Sequence, residues 1–264
     1  MIPVWVAAAA FVAAEFHHVT LNVTDPEAAI QFYTSRFSCE RVRLADREDA
    51  LRVGEDTWIF FNRVRKPAAS AVESAIWHIG WGAEDMPREY QRQLALGTKF
   101  HTPLTDISKL ANTAGFCYAY VAGPSGELIE LNTARHHNFG HLHLFSADPV
   151  AAWTWYTQRL GMPAPKREPS REKRFYEGFQ VGPSASFTNA RVNIIIYPAE
   201  RRYVSNRGRA IGEIGFQVDD LEAVLRGQKV LRKPAPFRGS KTLRSAIVEG
   251  PDRIAIELVE AKTK

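Results

Sequence analysis

His18-Val-Thr-Leu-Asn-Val-Thr-Asp25 is the stretch from which the fold can be read. Val19, Leu21 and Val23 alternate with His18, Thr20 and Asn22, the period-two pattern of a strand with one apolar and one polar face. The apolar face is expected to pack on a helix and the polar face to line a cavity. Asp25 suits a helix N-cap, and Pro26 suits the first helical position. The pattern returns as His78-Ile-Gly-Trp-Gly-Ala-Glu-Asp85, His141-Leu-His-Leu-Phe-Ser-Ala-Asp148 and Glu213-Ile-Gly-Phe-Gln-Val-Asp-Asp220. Each copy opens on a side chain able to bind metal, and each closes on an aspartate before a helix-like segment. Strict alternation places His17 on the face opposite His18.

Working outward, the helices repeat as well. Asp25-Pro-Glu-Ala-Ala-Ile-Gln-Phe-Tyr-Thr-Ser-Arg-Phe37 aligns without a gap on Asp148-Pro-Val-Ala-Ala-Trp-Thr-Trp-Tyr-Thr-Gln-Arg-Leu160. The unit ends match too: Tyr120-Val-Ala-Gly-Pro-Ser-Gly-Glu-Leu-Ile-Glu130-Leu aligns on Ile247-Val-Glu-Gly-Pro-Asp-Arg-Ile-Ala-Ile-Glu257-Leu. Each end reads as strand, Gly-Pro turn and strand. The expectation is an α+β fold of four units, each a strand, a helix and three strands. They group into two halves, 16–135 and 136–264, with His136-His137-Asn138 in the linker.

The chain has 264 residues, 45% apolar and 24% charged, as in a soluble globular protein. Its net charge of +5 is mildly basic and comes without a nucleic-acid motif, so a small-molecule partner is expected and nucleic acid is not. The two cysteines, Cys39 and Cys117, form no CxxC pair, which argues against a thiolate zinc site. Residues Ile2 to Ala14 are almost wholly apolar, and the run is too short to span a bilayer. Residues 1–15 read as an export signal lacking its basic start, with Val12 and Ala14 at the small-residue positions. That implies a periplasmic or secreted protein; the alternative is a cytoplasmic one with an apolar extension.

Over residues 16–260 the repeats resemble the vicinal oxygen chelate superfamily, which includes glyoxalases, extradiol dioxygenases, and fosfomycin and bleomycin resistance proteins. The resemblance implies four βαβββ modules paired into two cupped half-barrel sheets, each cup able to hold a divalent metal with ligands from first and last strands. His18 and His78 hold the first-strand positions of the first two modules, and Glu130 the last-strand position of the second. Trp58-Ile-Phe-Phe-Asn, the last strand of the first module, offers no ligand. The implied set is His18, His78 and Glu130, two histidines and a carboxylate like the triad of extradiol dioxygenases. Glu130 is suggestive on its own, since a carboxylate between Ile129 and Leu131 on a buried strand needs a partner. The second half offers His141, Glu213 and Glu257 as a second set, with His143 on the face of His141.

Three protein donors leave positions for substrate oxygens and dioxygen. Fe2+ or Mn2+ is the favoured ion, Zn2+ or Ni2+ the alternative; an exported protein shifts the balance away from iron. Tyr120, in Tyr-x-x-Gly-Pro-x-Gly-x-x-x-Glu, resembles the extradiol signature whose tyrosine hydrogen-bonds bound substrate. That family's upstream acid–base histidine is absent from Ala111 to Gly115, leaving His101 and Tyr118 as substitutes. Three functions follow: an extradiol-type dioxygenase, a glyoxalase-type isomerase or lyase, and a non-catalytic antibiotic-binding protein. A monomer and a homodimer are both compatible with the duplication.

Overall fold

The four aspartates that close the repeats all cap helices in the computed structural model, which describes residues 14–44, 48–163, 168–199 and 203–261. Asp25 accepts from the backbone amides of Glu27 and Ala28, Asp85 from Arg88, Asp148 from Val150 and Ala151, and Asp220 from Ala223. Each cap contributes about 1 kcal/mol and fixes where strand gives way to helix.

Module one comprises β1 (Glu15–Val23), α1 (Pro26–Arg36), β2 (Glu40–Leu44), β3 (Glu48–Arg52) and β4 (Trp58–Arg63). Module two comprises β5 (Ile76–Ala83), α2 (Met86–Ala95), β6 (Phe100–Asp106), the short α3 (Ser108–Ala111), β7 (Cys117–Ala122) and β8 (Leu128–Thr133). Module three comprises β9 (Phe139–Ser146), α4 (Pro149–Arg159), β10 (Ser170–Tyr176), β11 (Phe179–Asn189) and β12 (Val192–Pro198). Module four comprises β13 (Ile211–Gln217), α5 (Leu221–Leu225), β14 (Val230–Pro236), β15 (Leu243–Glu249) and β16 (Ala255–Ala261). These are the four expected βαβββ modules.

Their pairing differs from that implied by sequential halves. One eight-stranded sheet runs β14-β15-β16-β13-β1-β4-β3-β2, and the other β10-β11-β12-β9-β5-β8-β7-β6. Module one therefore shares a cup with module four, and module two with module three. The links supply the reason. Only residues 134–138 separate β8 from β9, so β9 folds back antiparallel beside β5, with Gly82 donating to the Asn138 carbonyl. The longer links, from β4 to β5 and from β12 to β13, cross between the sheets together. They are tied by the bridges Ala69–Arg209 and Ser74–Val204.

Val19, Leu21, Ile59, Ile79, Leu142, Ile194, Ile214 and Ile256 are fully buried on the apolar faces. Truncating one of these to alanine is expected to cost about 2–5 kcal/mol. Phe16 of β1 stacks on Phe139 of β9 at 6.1 Å, joining the two sheets.

The central pairs β1–β13 and β5–β9 each shift register at the head of the repeat, between Phe16 and His18 and between Ile76 and His78. Such a bulge breaks strict alternation. His17, expected opposite His18, instead packs with it on Phe60 and Phe237. Trp77 likewise joins His78 against Tyr120 and His143.

Cys39 and Cys117 are free, half-buried thiols. The N-terminal signal expected over residues 1–15 lies, up to residue 13, outside the described residues. No helix among the described residues is long and apolar enough to cross a membrane.

Candidate metal centre

The register between β5 and β9 brings three histidines together. His78 lies opposite His143, and Gly80 lies opposite His141. On the other flank of β5, Gly80 pairs with Glu130 of β8. The result is a cluster of His78, Glu130, His141 and His143, all buried, whose ligand atoms lie within 4.8 Å of one another. His78 Nε2 is 2.9 Å from one Glu130 oxygen, and His141 Nε2 is 3.6 Å from the other. Gly80 is required here, because a Cβ at this position would stand 2.0 Å from His141 Nε2.

Both ring nitrogens of His78, Nε2 of His141 and Nδ1 of His143 are buried without a hydrogen bond. The His78–Glu130 approach is close but not aligned as one. Orphaned nitrogens at this depth are costly, and a cation among them would satisfy several at once. Burial lowers the pKa of His78, with Glu130 opposing; it lowers His143 further, aided by the charges of His78 and His141. Burial would raise Glu130, but His141 and His78 hold it well below the usual carboxylate range. Neutral imidazoles and an ionised carboxylate are the forms that bind metal. Asn132 donates to Glu130 at 3.1 Å and orients it. The residues present therefore fit a divalent ion.

Tyr120 of β7 lies directly across from Glu130, its ring 5.0 Å from that of His78. Burial, and then the Glu130 charge, raise its pKa well above 10, so it stays a neutral phenol beside the cluster.

His18 stands elsewhere. It was expected to complete a triad with His78 and Glu130, but β1 belongs to the other sheet, where His18 Nε2 meets Glu257 at 3.2 Å. His141, expected with Glu213 and Glu257, is the histidine that joins His78 and Glu130. The exchange follows from the module pairing. Register for register, His18, Glu213 and Glu257 in the first cup correspond to His141, His78 and Glu130 in the second.

In the first cup, Glu257 is satisfied by neighbouring side chains. Glu257 accepts from Arg232, and from Ser245 at 2.7 Å. Despite burial, His18, Ser245 and Arg232 hold it at about 2. Arg238, on the turn Phe237–Gly239 after β14, reaches Thr20 at 3.1 Å, and its guanidinium stacks on Phe60 at 4.3 Å. Guanidinium groups supply the positive charge that an ion would bring, and among the described residues the only metal-competent cluster is the four-residue one. His17, its pKa lowered to about 3 chiefly by burial and then by His18, packs edge-on against Phe237 in this cup.

Glu213 sits in this cup with its pKa raised to about 7 by burial and the Glu257 charge, Arg238 and Arg232 opposing. A carboxyl raised on folding stabilises fully below its unfolded value and loses that stabilisation as pH rises through about 7. Glu213→Gln should therefore gain stability relative to the parent by about 1–2 kcal/mol between pH 5 and pH 8. Paired thermal melts at the two pH values would show it, and an unchanged difference would refute it.

The sequence model of the Glyoxalase/Bleomycin resistance protein/Dioxygenase superfamily matches residues 15–131 and 138–258. Glyoxalase I from Zea mays superposes with a TM-score of 0.71 at 17% identity, covering 94% of this chain and 93% of the other. A protein described as a candidate dioxygenase from Bacillus subtilis superposes with a TM-score of 0.60 at 14% identity, covering 94% and 86%. At such identities the likeness is one of fold. No curated protein matches the sequence.

Proposed function

The chain belongs to the Glyoxalase/Bleomycin resistance protein/Dioxygenase superfamily, and from that premise we propose that it is a divalent-metal enzyme acting on a small substrate with vicinal oxygens, most like an extradiol-type dioxygenase. The observation that carries this reading is the convergence of His78, His141 and Glu130, two imidazoles and one carboxylate, with buried nitrogens lacking other partners. A divalent ion held there supplies Lewis acidity and a template for adjacent oxygens, and iron adds reactivity with dioxygen.

The chain's own residues have separable roles in this reading. His78, His141 and Glu130 hold the ion, with Asn132 fixing Glu130. Tyr120, as a neutral phenol, donates a hydrogen bond to a substrate oxygen at the cluster. His143 stands beside both metal-binding histidines, its ring 4.2 Å from that of His78 and 4.9 Å from that of His141. As a neutral imidazole it can take the proton of a substrate hydroxyl, the role left vacant between Ala111 and Gly115.

His143 also supports a second reading. As a fourth ligand it would leave room for two substrate oxygens but not for dioxygen too, which suits a glyoxalase-type isomerase or lyase. The ion is Fe2+ or Mn2+ on the first reading and includes Zn2+ or Ni2+ on the second.

Metal analysis of protein purified without chelator, followed by oxygen uptake on a panel of catechols, tests both. We expect about one ion per chain and oxygen consumption coupled to substrate loss. Substrate conversion without oxygen uptake would select the isomerase reading. Absence of bound metal after reconstitution with iron, manganese, nickel and zinc would leave a non-catalytic binding protein as the account.

A further inference from the structure

The first cup holds a cavity where the second cup is filled by rings. His18 corresponds to His141 and Glu213 to His78, so Asn22 stands where the second cup has Phe145, and Gly212 where it has Trp77. Trp77 and Phe145 stack at 4.7 Å, and Tyr203 stacks on Phe145 at 4.2 Å. In the first cup the same pair is a glycine and an amide, so close that a Cβ on Gly212 would lie 2.6 Å from Asn22 Nδ2. The space without rings is a cavity of about 380 Å³, a size that takes a small ligand. One wall is Asn22, Gly212 and Glu213; the other comes from the links after β4 and β12, with Lys66, Arg207 and Gly208.

The backbone of these walls is fastened. Asn22 Nδ2 donates to the Arg209 carbonyl at 2.7 Å, and the Asn22 amide donates to the Ala210 carbonyl at 2.9 Å. Asn206 donates to the Gly212 carbonyl at 2.7 Å. The link after β12 is thus tied to both β1 and β13, and the cavity is formed before any ligand arrives.

Its charged groups are not fastened in the same way. Among the described residues, neither Glu213 nor Lys66 makes a hydrogen bond or ion pair, and the Arg207 guanidinium comes no nearer to an acid than 4.0 Å, from Glu249. Glu213 is half-buried, whereas Lys66 and Arg207 are exposed. A carboxyl drawn out of water without a partner is costly, and a hydrogen-bond donor relieves it. The two cations favour an anion. A carboxylate ligand answers Lys66 and Arg207, and a donor on the same ligand answers Glu213.

We propose that this cavity is a second ligand site, separate from the four-residue cluster, that binds a small carboxylate carrying a hydroxyl or ammonium group. The carboxylate lies toward Lys66 and Arg207, and the hydroxyl or ammonium donates to Glu213. The site needs no metal, so its occupancy is expected to be the same in His78→Ala as in the parent.

Propionate, L-lactate and L-alanine share a carbon frame and a carboxylate, and differ in bearing hydrogen, hydroxyl or ammonium beside it. Each is titrated into isotope-labelled protein while the backbone amides of Gly208 and Gly212 are followed by nuclear magnetic resonance. The expected result is saturable shifts at both amides, with lactate or alanine binding at least about tenfold tighter than propionate. The tighter of the two identifies the donor as hydroxyl or ammonium. Glu213→Ala should bring all three to the affinity of propionate, and it leaves no partner orphaned. Lys66→Ala, at an exposed position where folding is not at stake, should weaken all three by about two- to fivefold. Propionate binding as tightly as the other two would overturn the assignment of a donor to Glu213. Shifts that both variants leave unchanged, or no shift at either amide, would overturn the ligand site itself and leave the metal reading of the second cup standing.

Discussion

His141→Ala should empty the metal centre, whereas His18→Ala should leave it loaded. His141 and His18 occupy equivalent first-strand positions in modules three and one, and each meets a buried glutamate across its sheet. The two glutamates differ in what else they meet. Around Glu130 are His78 and His143, with nitrogens that make no hydrogen bond. Around Glu257 are Arg232 and Ser245, which already bind its Oε1. Removing one of three ligands forfeits about a third of the ~10–16 kcal/mol measured for structural zinc sites, or roughly two to four decades in affinity. His141→Ala should thus purify with little metal, as should His78→Ala. His18→Ala loses one partner of Glu257, costs about 1–3 kcal/mol of stability, and should keep about one ion per chain. Elemental analysis of the three purified variants decides the matter. Metal loss in His18→Ala with retention in His141→Ala would restore a triad of His18, His78 and Glu130.

Much of the fold was legible because its determinants are local. The four aspartate caps, the period-two strands and the Gly-Pro turns each depend on neighbours a few residues away, so repetition exposed the modules and their order. The pairing of modules depends on chain connectivity. The five residues between β8 and β9 are short enough to keep modules two and three in one sheet, and that length was available to be read. The pairing in turn decides which histidine joins Glu130. His78 and Glu130 share module two, so the repeat itself joins them, whereas only the pairing of modules puts His141 beside Glu130 and His18 beside Glu257. The glycines held a further signal. His78-Ile-Gly80 and Glu213-Ile-Gly215 place a residue without a Cβ two positions after the ligand position, where an imidazole from another strand must pass. Trp77 and His17 were hidden by the bulges, because strict alternation sends the residue before each ligand position to the far face. Bulges are set by the pairing of distant strands, which no local pattern reports.

Those glycines set up the second large effect. A Cβ on Gly80 would lie 2.0 Å from His141 Nε2 and 2.1 Å from its Cε1, and a Cβ on Gly215 would lie 1.9 Å from His18 Cε1. Neither distance can be absorbed by small shifts, so alanine at either position must drive the opposing ring away. Both rings are buried, so each substitution should cost about 1–3 kcal/mol by overpacking and lower the melting temperature by roughly 2–12 °C. The consequences for metal should diverge. Gly80→Ala expels a ligand, and ion content should fall toward that of His141→Ala even though every donor is still encoded. Gly215→Ala disturbs a cup held by Arg232 and Ser245, and ion content should stay near that of the parent. The pair separates damage to packing from loss of coordination, because the steric insult is the same and only the cup differs. Circular dichroism establishes that both variants fold, and elemental analysis then reads the divergence. Equal metal content in the two folded variants would mean that His141 does not hold the ion. The coordinating set would then reduce to His78, Glu130 and His143 within β5, β8 and β9.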